Sequence, residues 1–272
     1  MQQAAERDPN GQPRGQLLRL QAAILQTFRT MQGAMDQVPW EFSQNRSEHV
    51  TEFLVRFDKI FTLNQDTLLE KHYVQNIALA NNRGSFNSPV FPGMRYQPAG
   101  GQLAMGAPNW SDGPWVPTGD LSIPSGGQAI YKLHGSINWQ AAQGDPMLII
   151  GGGKSRQIAA NRVLASYADE FQHAVCAGAR LMVIGYGFRD EHINECLYNG
   201  AERGLEMFVV DPRGSALADA LNNTRTKGQI VEPSKLEGLF EQTLIGASRR
   251  PLASTFRGDA VEFKKFEEFF RR

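Results

Sequence analysis

The chain has 272 residues, enough for one large α/β domain or two small ones with a proper core, and its 41% hydrophobic and 21% charged composition is ordinary for a globular protein. Lys plus Arg and Asp plus Glu both number 28, so no global field draws in nucleic acid or an anionic membrane, and neither is expected as a partner. No apolar run approaches the roughly 20 residues that span a bilayer. The 2 cysteines, Cys176 and Cys196, are too few for a disulfide scaffold or a four-cysteine zinc site, so the sequence predicts a cytoplasmic protein.

Residues 1–15, with Asp8-Pro9-Asn10-Gly11 and Pro13, read as a flexible leader before a single domain over 16–272. Leu17, Leu20, Ile24, Phe28, Met31 and Met35 recur at helical spacing and predict an amphipathic helix. A short helix is expected over 48–57. The apolar run 59–63 then predicts a strand ending abruptly at Asn64-Gln65-Asp66, with a helix following through Leu68, Leu69 and Tyr73 to Ala80.

Residues 84–128 change character. Pro89, Pro92, Pro98, Pro108, Pro114, Pro117 and Pro124, with many glycines and no sustained period, predict a long irregular insertion that covers or moves. Regular structure resumes with strands over 129–133 and 147–150. A helix over 162–177 presents Val163, Leu164, Tyr167, Phe171, Ala174 and Val175 inward.

Leu181-Met182-Val183-Ile184 and Met207-Phe208-Val209-Val210 are fully apolar, as central parallel strands covered on both faces require. The first breaks into Gly185-Tyr186-Gly187 and a helix from about Asp190; the second closes on Asp211-Pro212. Further helices are expected over 234–244 and 260–270. Strands alternating with helices predict an α/β, Rossmann-like, doubly wound and mostly parallel sheet with helices on both faces.

Ligands of such sheets bind at the carboxyl ends of the strands. Asn64 and Asp66, His134, Gly185-Tyr186-Gly187, and Asp211 all sit at such ends. His134 follows an apolar strand and precedes Gly135, so backbone can pass close to a ligand there. It reads either as a general base working near neutral pH or as a buried histidine satisfied by carbonyls. Asp66 reads as a helix cap or a ligand contact, and Asp190 as the cap of its helix.

Gly185 and Gly187 suit positive φ and close approach to an anion. No His, Cys or carboxylate cluster has metal-ligand spacing, so no metal is expected. Gly151-Gly152-Gly153-Lys154-Ser155 misses the phosphate-loop pattern because Leu148 occupies a required glycine position, so it reads as a tight turn with a solvated lysine or as backbone amides that touch substrate phosphates.

Phe61-Thr62-Leu63-Asn64-Gln65-Asp66-Thr67-Leu68-Leu69-Glu70 resembles the sirtuin segment whose Asn-x-Asp meets the nicotinamide-side ribose. Lys132-Leu133-His134-Gly135-Ser136 resembles the segment carrying the sirtuin histidine. The segment from Ile184-Gly185-Tyr186-Gly187 to Asn194 resembles the glycine-rich turn of the bacterial sirtuin-like branch, whose members are commonly NAD-cleaving effectors of antiphage defence. Order and spacing cover roughly residues 55–215.

The resemblance implies NAD⁺ glycohydrolysis. His134 is then general base toward water or a ribose hydroxyl, and Asn64 positions water and ribose. Asp66 supports the turn, Gly185, Tyr186 and Gly187 border the adenosine side, and Asp211 reaches an adenosine ribose hydroxyl. It implies NAD⁺ as substrate, no metal, and a homo-oligomer or regulatory partner that holds the enzyme off.

The chain departs from the family in three places. It lacks the paired zinc cysteines, so no zinc ribbon is expected and protein deacylation is disfavoured. Gly187 stands where a serine or threonine is usual. No glycine-rich strand-turn-helix precedes Leu17, which leaves a truncated start or an incomplete phosphate cradle. A non-catalytic nucleotide-binding or interaction module therefore stands beside the enzyme.

Overall fold

The structure, a computed structural model, describes residues 12–37, 50–74, 86, 88–97, 110–111, 113–213, 234–256 and 258–271. Most of the expected leader and the expected helix beyond Val74 lie outside those residues. The fold is α/β with parallel-rich sheets and intervening helices, Rossmann-like as the sequence predicts. Within the span read as one domain, the chain divides into two compact units. One holds residues 1–41 and 57–151, the other 42–56 and 152–272.

The first unit begins with helix α1 (Gln12–Asp36), which starts inside the segment read as leader. Its parallel sheet has the order β1 (Lys59–Thr62), β5 (Gly127–Lys132), β2 (Ser88–Val90). Every residue of β5 is buried, as a central strand must be. Phe61 on β1 stacks on Tyr131 of β5 at 4.9 Å between ring centroids. The expected helix after Asp66 appears as a π-helical turn, Glu70–Val74.

The described residues within 84–128 correct the irregular reading, the remainder of that span lying outside them. Besides β2, they hold β3 (Met94–Tyr96) and β4 (Trp115–Pro117). These join β6 (Gly135–Gln140) and β7 (Pro146–Leu148) in a mixed sheet of order β3-β4-β6-β7. Strands of 3 residues carry no readable period, and the prolines within β2 (Pro89) and at the end of β4 (Pro117) disguise those two further. What holds this sheet is aromatic packing: Phe91 meets Trp115 at 4.8 Å edge-on, and Trp110 stacks on Trp115 at 5.4 Å.

The second unit is a parallel sheet of order β10 (Leu244–Ser248), β9 (Glu206–Val210), β8 (Arg180–Ile184). β9 is the central strand, with Met207, Phe208, Val209 and Val210 all buried. β8 corrects the expectation of a strand covered on both faces: among the described residues it is an edge of this sheet, and Ile184 is exposed.

Helices α3 (Lys154–Ala159), α4 (Arg162–Cys176) and α5 (Glu191–Ala201) follow in chain order around β8. Asn161 starts α4 by accepting the N–H groups of Val163 and Leu164. The expected inner face of α4 is buried at Val163, Leu164, Tyr167, Phe171 and Val175.

Ser234 and Glu237 form a reciprocal capping box on α6 (Lys235–Thr243). α2 (Val50–Leu54), α7 (Leu252–Phe256) and α8 (Ala260–Arg271) share a phenylalanine cluster, with Phe53 5.2 Å from Phe256 and 5.7 Å from Phe266. No described helix is long and apolar enough to cross a membrane.

Candidate functional site

In the first unit, β1 and β5 run parallel with Thr62 beside Lys132, so the chain leaves both strands at neighbouring points. The two exits are tied by backbone bonds: Leu133 N–H to the Thr62 carbonyl at 2.9 Å and Ile137 N–H to the Gln65 carbonyl at 2.9 Å. Gln65 adds a side-chain tie, its amide donating to the carbonyls of His134 (3.1 Å) and Ile149 (2.7 Å). The structure thus brings together the Asn64–Asp66 turn and the His134 turn.

His134 is buried, whereas Asn64 is exposed and donates its N–H to the Thr62 hydroxyl at 3.1 Å. Asp66 takes the capping role: its Oδ1 accepts the Leu68 N–H at 3.0 Å. Gly135 is obligatory, with φ at +72°; a Cβ there would lie 1.9 Å from the Met147 carbonyl oxygen. This corrects the expectation of a ligand close to Gly135: what approaches it is the chain's own backbone, at Met147 of β7.

Beneath these turns lies an ion pair that sequence reading missed. Lys132 is 1% exposed and Glu70 0%, and the Lys132 ammonium sits 2.8 Å from Glu70 Oε1. The ammonium also donates to the Ser136 hydroxyl at 2.7 Å and to the Asp66 carbonyl. All three of its protons are thus matched, which offsets the large cost of taking a charge out of water. One cation binds the Asp66 turn, the π-helical turn and the strand that follows His134. The signal was present: a lysine inside a buried strand needs a buried carboxylate.

A cavity of about 340 Å³ borders the same turns, lined by Arg29, Gln32, Asp36, Thr67, Ile137 and Asn138 among others. Gln32 on α1 accepts the Thr67 N–H at 2.9 Å, and Asp36 pairs with Lys71 at 2.8 Å. Polar side chains of α1 are in this way anchored to the segment after Asp66.

In the second unit, Ile184 of β8 stands beside Val210 of β9, so Gly185-Tyr186-Gly187 and Asp211 emerge next to each other. Gly185 has φ at +64° and donates to the Val210 carbonyl at 2.9 Å. Tyr186 is half-buried. Its hydroxyl donates to the Asn194 side chain at 2.8 Å and lies 3.1 Å from the Asp190 carbonyl, and burial pushes its titration above the ordinary phenol range. Asn194 in turn holds the Phe188 carbonyl at 2.9 Å, where the backbone takes a left-handed φ of 52°.

Asp190 departs from its expected capping role, because its side chain caps nothing and pairs instead with Lys154. Lys154 is correspondingly no freely solvated lysine. The tight turn before it is present, with φ at +69° for Gly153. Burial lowers the His192 pKa.

Asp211 is 2% exposed and held at both carboxylate oxygens by a residue that sequence reading passed over. Arg213 donates its N–H at 2.8 Å and its Nε at 3.1 Å to Asp211 Oδ1, and its Nη2 at 3.0 Å to Oδ2. The guanidinium holds the Asp211 carboxyl below the usual range. Half of the Arg213 side chain remains exposed, at 52%.

A model of the SIR2-like domain matches residues 58–228, and the chain belongs to the SIR2-like domain family. Membership carries a NAD-related function. No curated protein matches the sequence.

Proposed function

We propose that this domain hydrolyses NAD⁺ at the nicotinamide–ribose bond. The observation that carries the proposal is the stitched pair of turns at the ends of β1 and β5, which joins Asn64 and His134 within a SIR2-like domain. Asn64, exposed at the turn, orients water and the ribose. Water oxygen bonds to the ribose C1′ and its proton passes to His134, while the C–N bond breaks with its electron pair moving to the nicotinamide ring nitrogen. The transition state has oxocarbenium character, so fixed polar groups around the ribose stabilise it.

Asp66 holds the turn through its cap and its carbonyl. Gly185, Tyr186 and Gly187 border the adenosine side: an added Cβ on Gly185 would meet nothing within 4 Å, so the turn has room for a close ligand. Asp211 stands beside them at the end of β9. The reading requires no metal and places the protein in the cytoplasm as an antiphage defence effector, held off by oligomerisation or a partner protein.

The test is nicotinamide release from NAD⁺ by the purified chain. His134→Ala is expected to lower turnover by about 10²–10⁴-fold, the usual worth of a positioned base, and Asn64→Ala to lower it as well with unchanged thermal unfolding. Binding of NAD⁺ with no turnover would replace the enzyme by a nucleotide-binding module. Loss of cellular NAD⁺ after phage infection, abolished by His134→Ala, tests the defence role.

A further inference from the structure

The carboxyl ends of β8 and β9 hold a cation that the proposed chemistry does not use. Arg213 lies two residues beyond Asp211, and its Nη2 would be 3.4 Å from a Cβ placed on Gly187. The guanidinium therefore rests against the glycine turn, on the strand-end edge where ligands of parallel sheets bind. Asp211 grips it through Nε and one face of Nη2. That side-on grip fixes the plane of the guanidinium and leaves Nη1 and the outer N–H of Nη2 directed elsewhere.

We propose that Arg213 binds a phosphate of the adenine nucleotide, with Asp211 acting as the holder of Arg213. This rests on the reading that the chain takes NAD⁺, and it reassigns Asp211 within that reading. A carboxylate at the end of such a strand ordinarily accepts the adenosine ribose hydroxyls and repels phosphate. Here both carboxylate oxygens are occupied and the charge is neutralised by a partner 52% exposed to solvent. What faces outward is a pre-oriented donor pair, matched to two phosphate oxygens. Two phosphates share that chemistry: the pyrophosphate of NAD⁺, or a 2′-phosphate on the adenosine ribose as in NADP⁺.

Calorimetric titration of the full chain with NAD⁺, ADP, adenosine 2′-phosphate and adenosine separates the possibilities. Arg213→Ala is expected to weaken at least one phosphate ligand about tenfold or more while leaving adenosine unchanged. Arg213→Lys is expected to recover part of the loss as a point charge. A loss confined to ADP assigns the pyrophosphate, and a loss confined to adenosine 2′-phosphate assigns the ribose phosphate and admits NADP⁺ as a substrate.

Unchanged affinity for both phosphate ligands, with NAD⁺ still bound, overturns the Arg213 assignment alone. An equal loss for adenosine overturns it too, because the role is then structural. Wild-type protein that binds neither NAD⁺ nor ADP overturns the NAD⁺ reading itself.

Discussion

The turn after β1 and the turn after β8 both leave the end of a parallel strand, yet they are secured by different means. The first is fixed from below, by a buried Lys132–Glu70 pair and by the Gln65 amide bridging two carbonyls. The second is fixed from the side, by Tyr186 and Asn194 reaching the start of α5, and it keeps a half-exposed arginine at its rim. Buried polar ties give a geometry that tolerates little movement. An exposed guanidinium on a carboxylate holder keeps its direction and stays available to a ligand. The first arrangement suits a reacting centre and the second suits recognition.

The comparison is broken most severely at Lys132. Replacing it with methionine leaves Glu70 buried and unpaired, and is expected to cost about 3–5 kcal/mol of stability in urea unfolding. The double replacement Lys132→Met with Glu70→Leu removes both charges and is expected to restore much of that loss. A double variant no more stable than the single one would mean that the pair does not couple the turns.

A smaller effect is expected at Gly185→Ala in the second turn. The added Cβ meets open space, so only the left-handed φ of +64° is strained, at roughly 1–2 kcal/mol. A loss as large as at Lys132 would erase the distinction between the two turns.

The smallest effect concerns pH. Arg213 lowers the folded-state pKa of Asp211 below its ordinary 3.8. The pair therefore contributes stability that is present above that value and is lost as pH falls through the lower folded pKa. Asp211→Asn is expected to flatten this acid limb in a series of unfolding midpoints. The change is slight, since the Arg213 head is partly in water and screened.

Much of the scaffold was legible. The apolar runs 181–184 and 207–210 became β8 and β9, and the helical period over 162–177 became α4, because length and period carry those signals without help from tertiary structure. The runs at 59–63 and 129–133 likewise became β1 and β5. β3 and β4 were invisible because strands of 3 residues hold no period, and the aromatic contacts that pack them, Phe91 and Tyr96 on Trp115, join residues well separated in sequence.

Within the site, the Asp66 cap was readable because it is local. Glu70 was not, since its partner lies 62 residues away and only the pairing of β1 with β5 joins them. Asp190 misled for a related reason: its sequence neighbours suggested a cap, and Lys154, 36 residues earlier, claimed the carboxylate. Arg213 was local enough to be seen, two residues from Asp211.

Gln65 also bears on whether the Asn-x-Asp turn is portable. The middle residue of that triplet is a spacer in the sequence pattern, yet here its single nitrogen satisfies two carbonyls from different strand ends. Glutamate would offer those carbonyls only further acceptors, and methionine would offer nothing. Grafting Asn64 and Asp66 onto another parallel sheet would transfer the proposed water-orienting amide and its supporting carboxylate without the suture that ties their turn to that of His134. A working transplant must carry Gln65 together with the His134 and Ile149 carbonyls it holds.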